Sequence, residues 1–100
     1  FQSLLTMAIQ IAQYHHERWD GKGYPQGILG ENIPLSARIM ALADVYDALR
    51  SKRCYKEAYT HAESVKIILD GKNTQFDPFV VNAFLSAEKE FEKISLGLVG

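Results

Sequence analysis

One stretch, Asp20-Gly21-Lys22-Gly23-Tyr24-Pro25-Gln26-Gly27, is so dense in turn formers that neither a helix nor a strand can run through it. On both sides of it, apolar residues recur only at helical intervals. Pro25 lacks an amide donor and three glycines weaken any strand, which leaves an irregular loop that Gly30 extends to about Asn32. Ahead of the loop, Leu4, Leu5, Ala8, Ile9 and Ala12 predict a helix over residues 2–16, ending near Glu17 to Asp20. Behind it, Ile33-Pro34 opens a second helix, since proline's missing N–H would be unpaired in a first turn anyway. Leu35, Ile39, Leu42, Ala43, Tyr46 and Leu49 form one apolar stripe along that helix. Ala37, Ala41 and Ala48 keep its other faces thin, so neighbours can pack closely on several sides.

Residues 51–59 are polar and irregular. Thr60 and Glu63 fit a capping box that opens a third helix, running to about Asp70 and stopped by Gly71. Asp77-Pro78 reads as the N-cap and first turn of a fourth helix, with Val80, Phe84, Ala87, Phe91 and Ile94 as its buried stripe. Helical order is expected to be lost after Ser95. The expected fold is all-α, a bundle of about four helices with the second one central. A central helix needs more partners than this chain comfortably provides, and the chain opens in mid-pattern. It is therefore expected to be part of something longer, with an uncovered apolar patch and a tendency to self-associate.

The chain has 100 residues, and its net charge of −1 creates no global field to attract a nucleic acid polymer or an anionic membrane. Phosphate recognition must then come from a few local cations. The single cysteine, Cys54, excludes an intrachain disulfide and fits a reducing compartment. No apolar run is long enough to span a bilayer. The first residues lack a basic leading segment and a cleavage signature, so no signal peptide is expected.

Four groups of residues carry chemistry. His15 and His16 sit at the end of the first helix, with their imidazoles roughly a hundred degrees apart around its axis. They can serve neighbouring metals, or one metal plus a substrate; the plainer alternative is a solvated helix end. Asp44 and Asp47 lie within the second helix, where Asp is a poor interior residue. Asp44 adjoins Leu42 and Ala43 and so is expected to border the core, where a carboxylate needs a cation; otherwise the two line a solvated face. Arg53 and Lys56 offer a planar fork and a point charge to phosphate oxygens, or are simply surface cations. In the loop, Gly21 and Gly23 allow close backbone approach to a ligand. Tyr24 and Pro25 follow, and the tyrosine offers an aromatic face and a hydroxyl; the alternative is a plain turn.

The order and spacing of these groups are more specific than any one of them. His15-His16-Glu17-x-x-Asp20-Gly21-x-Gly23-Tyr24-Pro25-x-Gly27 resembles the HHExxDGxGYPxG signature of the HD-GYP family. Ile33-Pro34-x-x-Ala37-Arg38-Ile39, Ala43-Asp44-x-x-Asp47-Ala48-Leu49 and Arg53-x-Tyr55-Lys56 follow as that family's pattern requires. Phe76-Asp77-Pro78-x-Val80-Val81-x-Ala83-Phe84 resembles its closing helix, so the resemblance covers about residues 10–86.

The resemblance implies the C-terminal part of an all-helical HD-superfamily domain over residues 1–100. It implies a metal-dependent phosphodiesterase that hydrolyses the bacterial signalling dinucleotide cyclic di-GMP to the linear dinucleotide or GMP, in the cytoplasm. His15, His16 and Asp44 match metal ligands of a centre of two or three ions, iron or manganese. Arg53, Lys56 and Tyr24 match substrate-binding residues. The loop Gly21, Gly23, Tyr24 and Pro25 matches one linked to docking on diguanylate cyclase (GGDEF) domains, which leaves a non-catalytic docking or sensing module as the alternative. The chain departs from the pattern in lacking a His-Asp pair. His61 does not replace it and is expected to be an exposed surface residue in the first turn of its helix. Three ligands alone predict at most weak metal binding and no meaningful hydrolysis by these 100 residues. Arg50-Ser51-Lys52-Arg53-Cys54 stands where the family has threonine-serine-aspartate-arginine-proline, which adds positive charge beside the phosphate residues.

Overall fold

The computed structural model describes residues 2–52 and 57–97. Among them five α-helices follow in order: α1 (Gln2–Tyr14), α2 (Leu35–Arg50), α3 (His61–Asp70), α4 (Pro78–Ser86) and α5 (Glu88–Ser95). A short 3-10 turn at Gly30–Asn32 leads into α2. The described residues contain no strand, and only an isolated bridge joins Lys72 to Phe76. The fold is all-α, as the periodicity predicts.

The central position expected for α2 is observed, for it packs against α1, α3 and α4. Leu42 and Tyr46 project from it into a core completed by Ile68, Phe76, Val81 and Phe84. Ala37 is fully buried, so its small side chain does permit close approach. The predicted stripe is buried only along its C-terminal half. Leu35 and Ile39 stay half exposed and, with Phe79 and Val80, line an open apolar groove of about 440 Å³ between α2 and α4.

The caps fall where the sequence places them. Thr60 Oγ1 accepts from the Glu63 amide at 3.1 Å while Glu63 Oε1 accepts from the Thr60 amide at 2.9 Å. Asp77 caps α4 through the Phe79 amide at 2.8 Å, with Pro78 in the first turn. Gly71 closes α3 at φ −90°, so no left-handed conformation is needed there. A Cβ on it would stand 2.8 Å from the Phe76 ring, and close packing is what requires glycine.

Two boundaries differ from expectation. First, α1 ends at Tyr14, ahead of the histidine pair. Second, the expected long fourth helix is divided at Ala87, whose φ of −113° and ψ of 11° end α4 and begin α5. The division lets Phe91 pack edge-on to Tyr46 and Phe84, while Ile94, expected in the buried stripe, is 62% exposed.

His61 is a further correction. Its side chain is only 11% exposed. Its Nδ1 meets the Tyr46 hydroxyl at 2.9 Å and its Nε2 meets the Glu88 carboxylate. His61 faces α2 and α5 rather than water, because α5 folds onto the start of α3.

Candidate functional site

The histidine pair lies in the turn that follows α1, where the His15 amide still bonds to the Ile11 carbonyl at 3.1 Å. Leaving the helix brings the two imidazoles together, with centroids 4.0 Å apart and planes tilted by 41°. The hundred-degree separation expected for a continuing helix does not apply. His15 Nδ1 stands 2.6 Å from the Ile11 carbonyl, which can only accept, so Nδ1 carries a proton and Nε2 is the nitrogen that a neutral ring offers to a ligand. That Nε2 faces Asp44 Oδ2 at 3.8 Å, across the contact between α1 and α2.

Asp44 is 57% exposed and does not border the core as expected. Burial therefore creates no need for a cation at this carboxylate. What the structure supplies instead is a cavity of about 340 Å³, lined by His15, His16, Arg18, Tyr24, Asp44 and Gln75. Asp47, three residues on, lines a separate pocket with Tyr46 and Phe91. Among the described residues, no three His, Cys, Asp or Glu side chains are grouped closely enough to hold a metal ion. A facing imidazole and carboxylate, with a second imidazole beside them, suit a divalent transition metal in donor chemistry but leave its coordination to be completed elsewhere. Arg53 and Lys56 lie outside the described residues.

The loop is built onto the histidine segment. The Tyr24 amide donates to the His16 carbonyl at 3.2 Å, and the Tyr24 ring stacks on His16 at 4.8 Å with planes 15° apart. Gly23 passes so close that a Cβ would stand 2.4 Å from the Arg18 amide nitrogen and 2.5 Å from the His16 oxygen. Close approach is thus its role, though toward the protein's own backbone. Gly21 adopts φ +79°, and the Tyr24–Pro25 peptide is cis. Trp19 and Asp20 donate their amides to the Gln75 and Thr74 carbonyls, which fixes the loop's base to the connection between α3 and α4.

Two roles were missed in the sequence. Glu17 is 4% exposed, and its carboxylate accepts from the Gln26 amide at 2.8 Å and the Ile28 amide at 2.9 Å. Its place within the signature was the available signal; its partners are backbone atoms that no motif reveals. Arg18 binds Asp20 with Nε to Oδ1 at 3.2 Å and Nη2 to Oδ2 at 3.1 Å. The Arg18 hydrogen bonds hold the Asp20 carboxyl below its usual range, assisted by the Lys22 amide.

Fold and site together define an all-helical domain in which histidines and an aspartate converge on one cavity. Residues 2–80 match the family model for the HD domain, and the chain belongs to that family, within which its loop signature marks the HD-GYP type. It is 55% identical over 93 residues to a probable cyclic di-GMP phosphodiesterase of Vibrio cholerae, covering 93% of this chain and 21% of that protein. It is 50% identical over 84 residues to the cyclic di-GMP phosphodiesterase response regulator RpfG of Xanthomonas campestris, covering 84% of this chain and 22% of that protein. The crystal structure of a cyclic GMP-AMP specific phosphodiesterase of V. cholerae superposes with a TM-score of 0.59 at 26% identity, covering 95% of this chain and 26% of that one. The chain thus spans about a fifth of the length of the curated relatives it matches. No helix among the described residues is long and apolar enough to cross a membrane.

Proposed function

We propose that this chain supplies part of the metal centre of a cytoplasmic phosphodiesterase that hydrolyses cyclic di-GMP within a larger bacterial signalling protein. The observation that carries the reading is the 3.8 Å approach of His15 Nε2 to Asp44 Oδ2, with the far nitrogen of the same ring tied to a backbone carbonyl. A backbone acceptor on one imidazole nitrogen fixes the tautomer and leaves the other as a directed donor, the usual arrangement around a metal-ligating histidine. His15, His16 and Asp44 are the residues that would hold iron or manganese, with further ligands from the rest of the parent polypeptide.

A divalent ion held by His15, His16 and Asp44 would supply Lewis-acid polarisation of a phosphoryl oxygen and a water of lowered pKa. The chain's own residues orient and bind. His15 and Asp44 face the cavity, the first from the turn after α1 and the second from α2. Arg53 and Lys56 follow the helix that carries Asp44 and are assigned to the substrate phosphates, where Arg offers a bidentate fork. Tyr24, stacked on His16, offers its exposed ring and hydroxyl at the cavity rim. The relatives at 50–55% identity are named for cyclic di-GMP, whereas other curated relatives, at 39–46% identity, and the structural neighbour are named for cyclic GMP-AMP. Cyclic di-GMP is our assignment because the relatives of higher identity carry it.

The test is turnover by the parent polypeptide with manganese or iron, products separated by chromatography, on both dinucleotides. Cyclic di-GMP cleavage that is lost in His15→Ala and Asp44→Ala supports the reading. Full turnover by either variant overturns the ligand assignment, and preferential cleavage of cyclic GMP-AMP overturns the substrate.

A second reading keeps the loop as a docking surface for GGDEF domains. Tyr24 is 62% exposed and Leu29 60%, so the loop presents apolar surface to a partner. Capture of a GGDEF domain that survives His15→Ala but not Tyr24→Ala supports it.

A further inference from the structure

We infer that Glu17 is a positioning residue whose carboxylate holds the Tyr24 loop so that the tyrosine ring stays stacked on His16 and fixes the direction of that imidazole. The inference rests on the assignment of His16 as a ligand, but its core is a statement about loop geometry that stands without a metal.

A carboxylate removed from water needs strong partners. Glu17 is 4% exposed, and both of its oxygens accept backbone amides, Oε2 from Gln26 and Oε1 from Ile28. Bonds to an ionised acceptor are about twice as strong as neutral ones. With both oxygens committed to the loop, adjacency to the histidine pair does not make Glu17 a ligand.

The two bonds act with a third. The Tyr24 amide donates to the His16 carbonyl at 3.2 Å, so these three bonds hold the loop on both sides of Pro25. The attachments bracket the exposed Tyr24 ring, which alone has little to hold it, being 62% exposed. Gly23 lets the loop lie against the backbone of residues 16–18. His16 is therefore pressed between His15, at 4.0 Å, and Tyr24, at 4.8 Å, and its ring direction depends on where the loop sits. Removing the carboxylate releases residues 26–28, while the Gly30 amide stays on the Trp19 carbonyl, and with them the support of the outer face of that sandwich.

The test begins with the metal-free protein. In the wild type, the ring protons of His16 are shifted upfield by the Tyr24 ring current, and Tyr24→Ala gives the unstacked reference. In Glu17→Gln, one amide group opposes a backbone N–H, donor to donor. We expect the His16 shift to collapse to the Tyr24→Ala value while amide signals of α3 to α5 are unchanged. An undiminished shift with intact His16–Tyr24 cross-peaks overturns the inference. Should Glu17→Gln not fold, hydrogen exchange on the wild type decides: protected Gln26 and Ile28 amides support the clamp, and exchange at the rate of free loop amides refutes it. Manganese affinity of the parent polypeptide provides the readout specific to positioning. Loss of a supporting residue lowers metal affinity about 10–100-fold. Glu17→Gln should do so alone but add nothing in a His16→Ala background. An equal loss in both backgrounds shows that Glu17 does not act through His16. Absence of manganese binding in the wild type refutes the proposed metal centre and leaves the spectroscopic result to judge this inference.

Discussion

Asp77 and Arg38 form an ion pair beneath the start of α4, the carboxylate being almost wholly buried while the guanidinium also donates to the Ile33 carbonyl at 2.9 Å. The same carboxylate caps α4 through its other oxygen. One side chain thus starts a helix and ties it to α2. Asp77→Ala removes both functions and leaves Arg38 without its counter-charge, for an expected loss of about 3 kcal/mol or more in urea unfolding. Asp77→Asn retains a capping oxygen and should lose less, about 1–2 kcal/mol. Equal losses would show that the ion pair contributes little.

Gly23→Ala is expected to act locally and severely. Its Cβ would meet backbone atoms at 2.4 to 2.7 Å, none of which can move as a side-chain tip does. The loop must lift, which breaks the Tyr24–His16 stack. Nuclear magnetic resonance should show large shifts confined to residues around 15–28, with α3 to α5 preserved.

The caps were readable in the sequence because they are local: Thr60 with Glu63, and Asp77 with Pro78, use side chains to satisfy amides two or three residues away. Leu42, Tyr46 and Phe84 were readable as core from their spacing. Ala87 was not, because alanine favours helix and only the packing of Phe91 on Tyr46 reveals why the helix should stop there. His61 was misjudged for the same reason: a helix's first turn is usually exposed, and Glu88 arrives from a later element. At the site, the motif marked His15, His16 and Asp44 as one group, and the structure brings His15 to Asp44. The exposure of Asp44 was misread, since neighbours in sequence do not set which way a helical residue faces.

Two carboxylates give a pH signature. Glu63 is held below its ordinary value by the Thr60 backbone and side-chain hydrogen bonds, and Asp20 by Arg18. A carboxyl with a depressed folded-state value stabilises the fold above its unfolded value and loses that contribution as pH falls through the folded one. Stability should therefore decline on acidification below the ordinary carboxylate range. Arg18→Ala should raise the Asp20 midpoint in a carboxyl titration without moving that of Glu63, whereas Thr60→Ala, which keeps the backbone donor, should raise that of Glu63 only in part and leave Asp20 unmoved.

The groove beside Leu35, Ile39 and Phe79 should make the isolated chain self-associate, as exposed contiguous apolar surface does. Phe79 is 72% exposed, so Phe79→Glu can remove apolar surface without disturbing the core. Sedimentation should show concentration-dependent mass for the wild type and a monomer for the variant. A monomeric wild type would show that the groove does not pair copies of this chain.

The division at Ala87 turns the last helix into a brace. Eight residues are too few to hold a helix in water unaided. Those of α5 are anchored through Glu88 to His61, through Phe91 to Tyr46 and through Ser95 to Arg50. Its order is thus borrowed from the end of α2 and the start of α3, and lent back to them. Slow exchange of amides near Arg50 should consequently fail when Glu88 is replaced, although the two are remote along the chain.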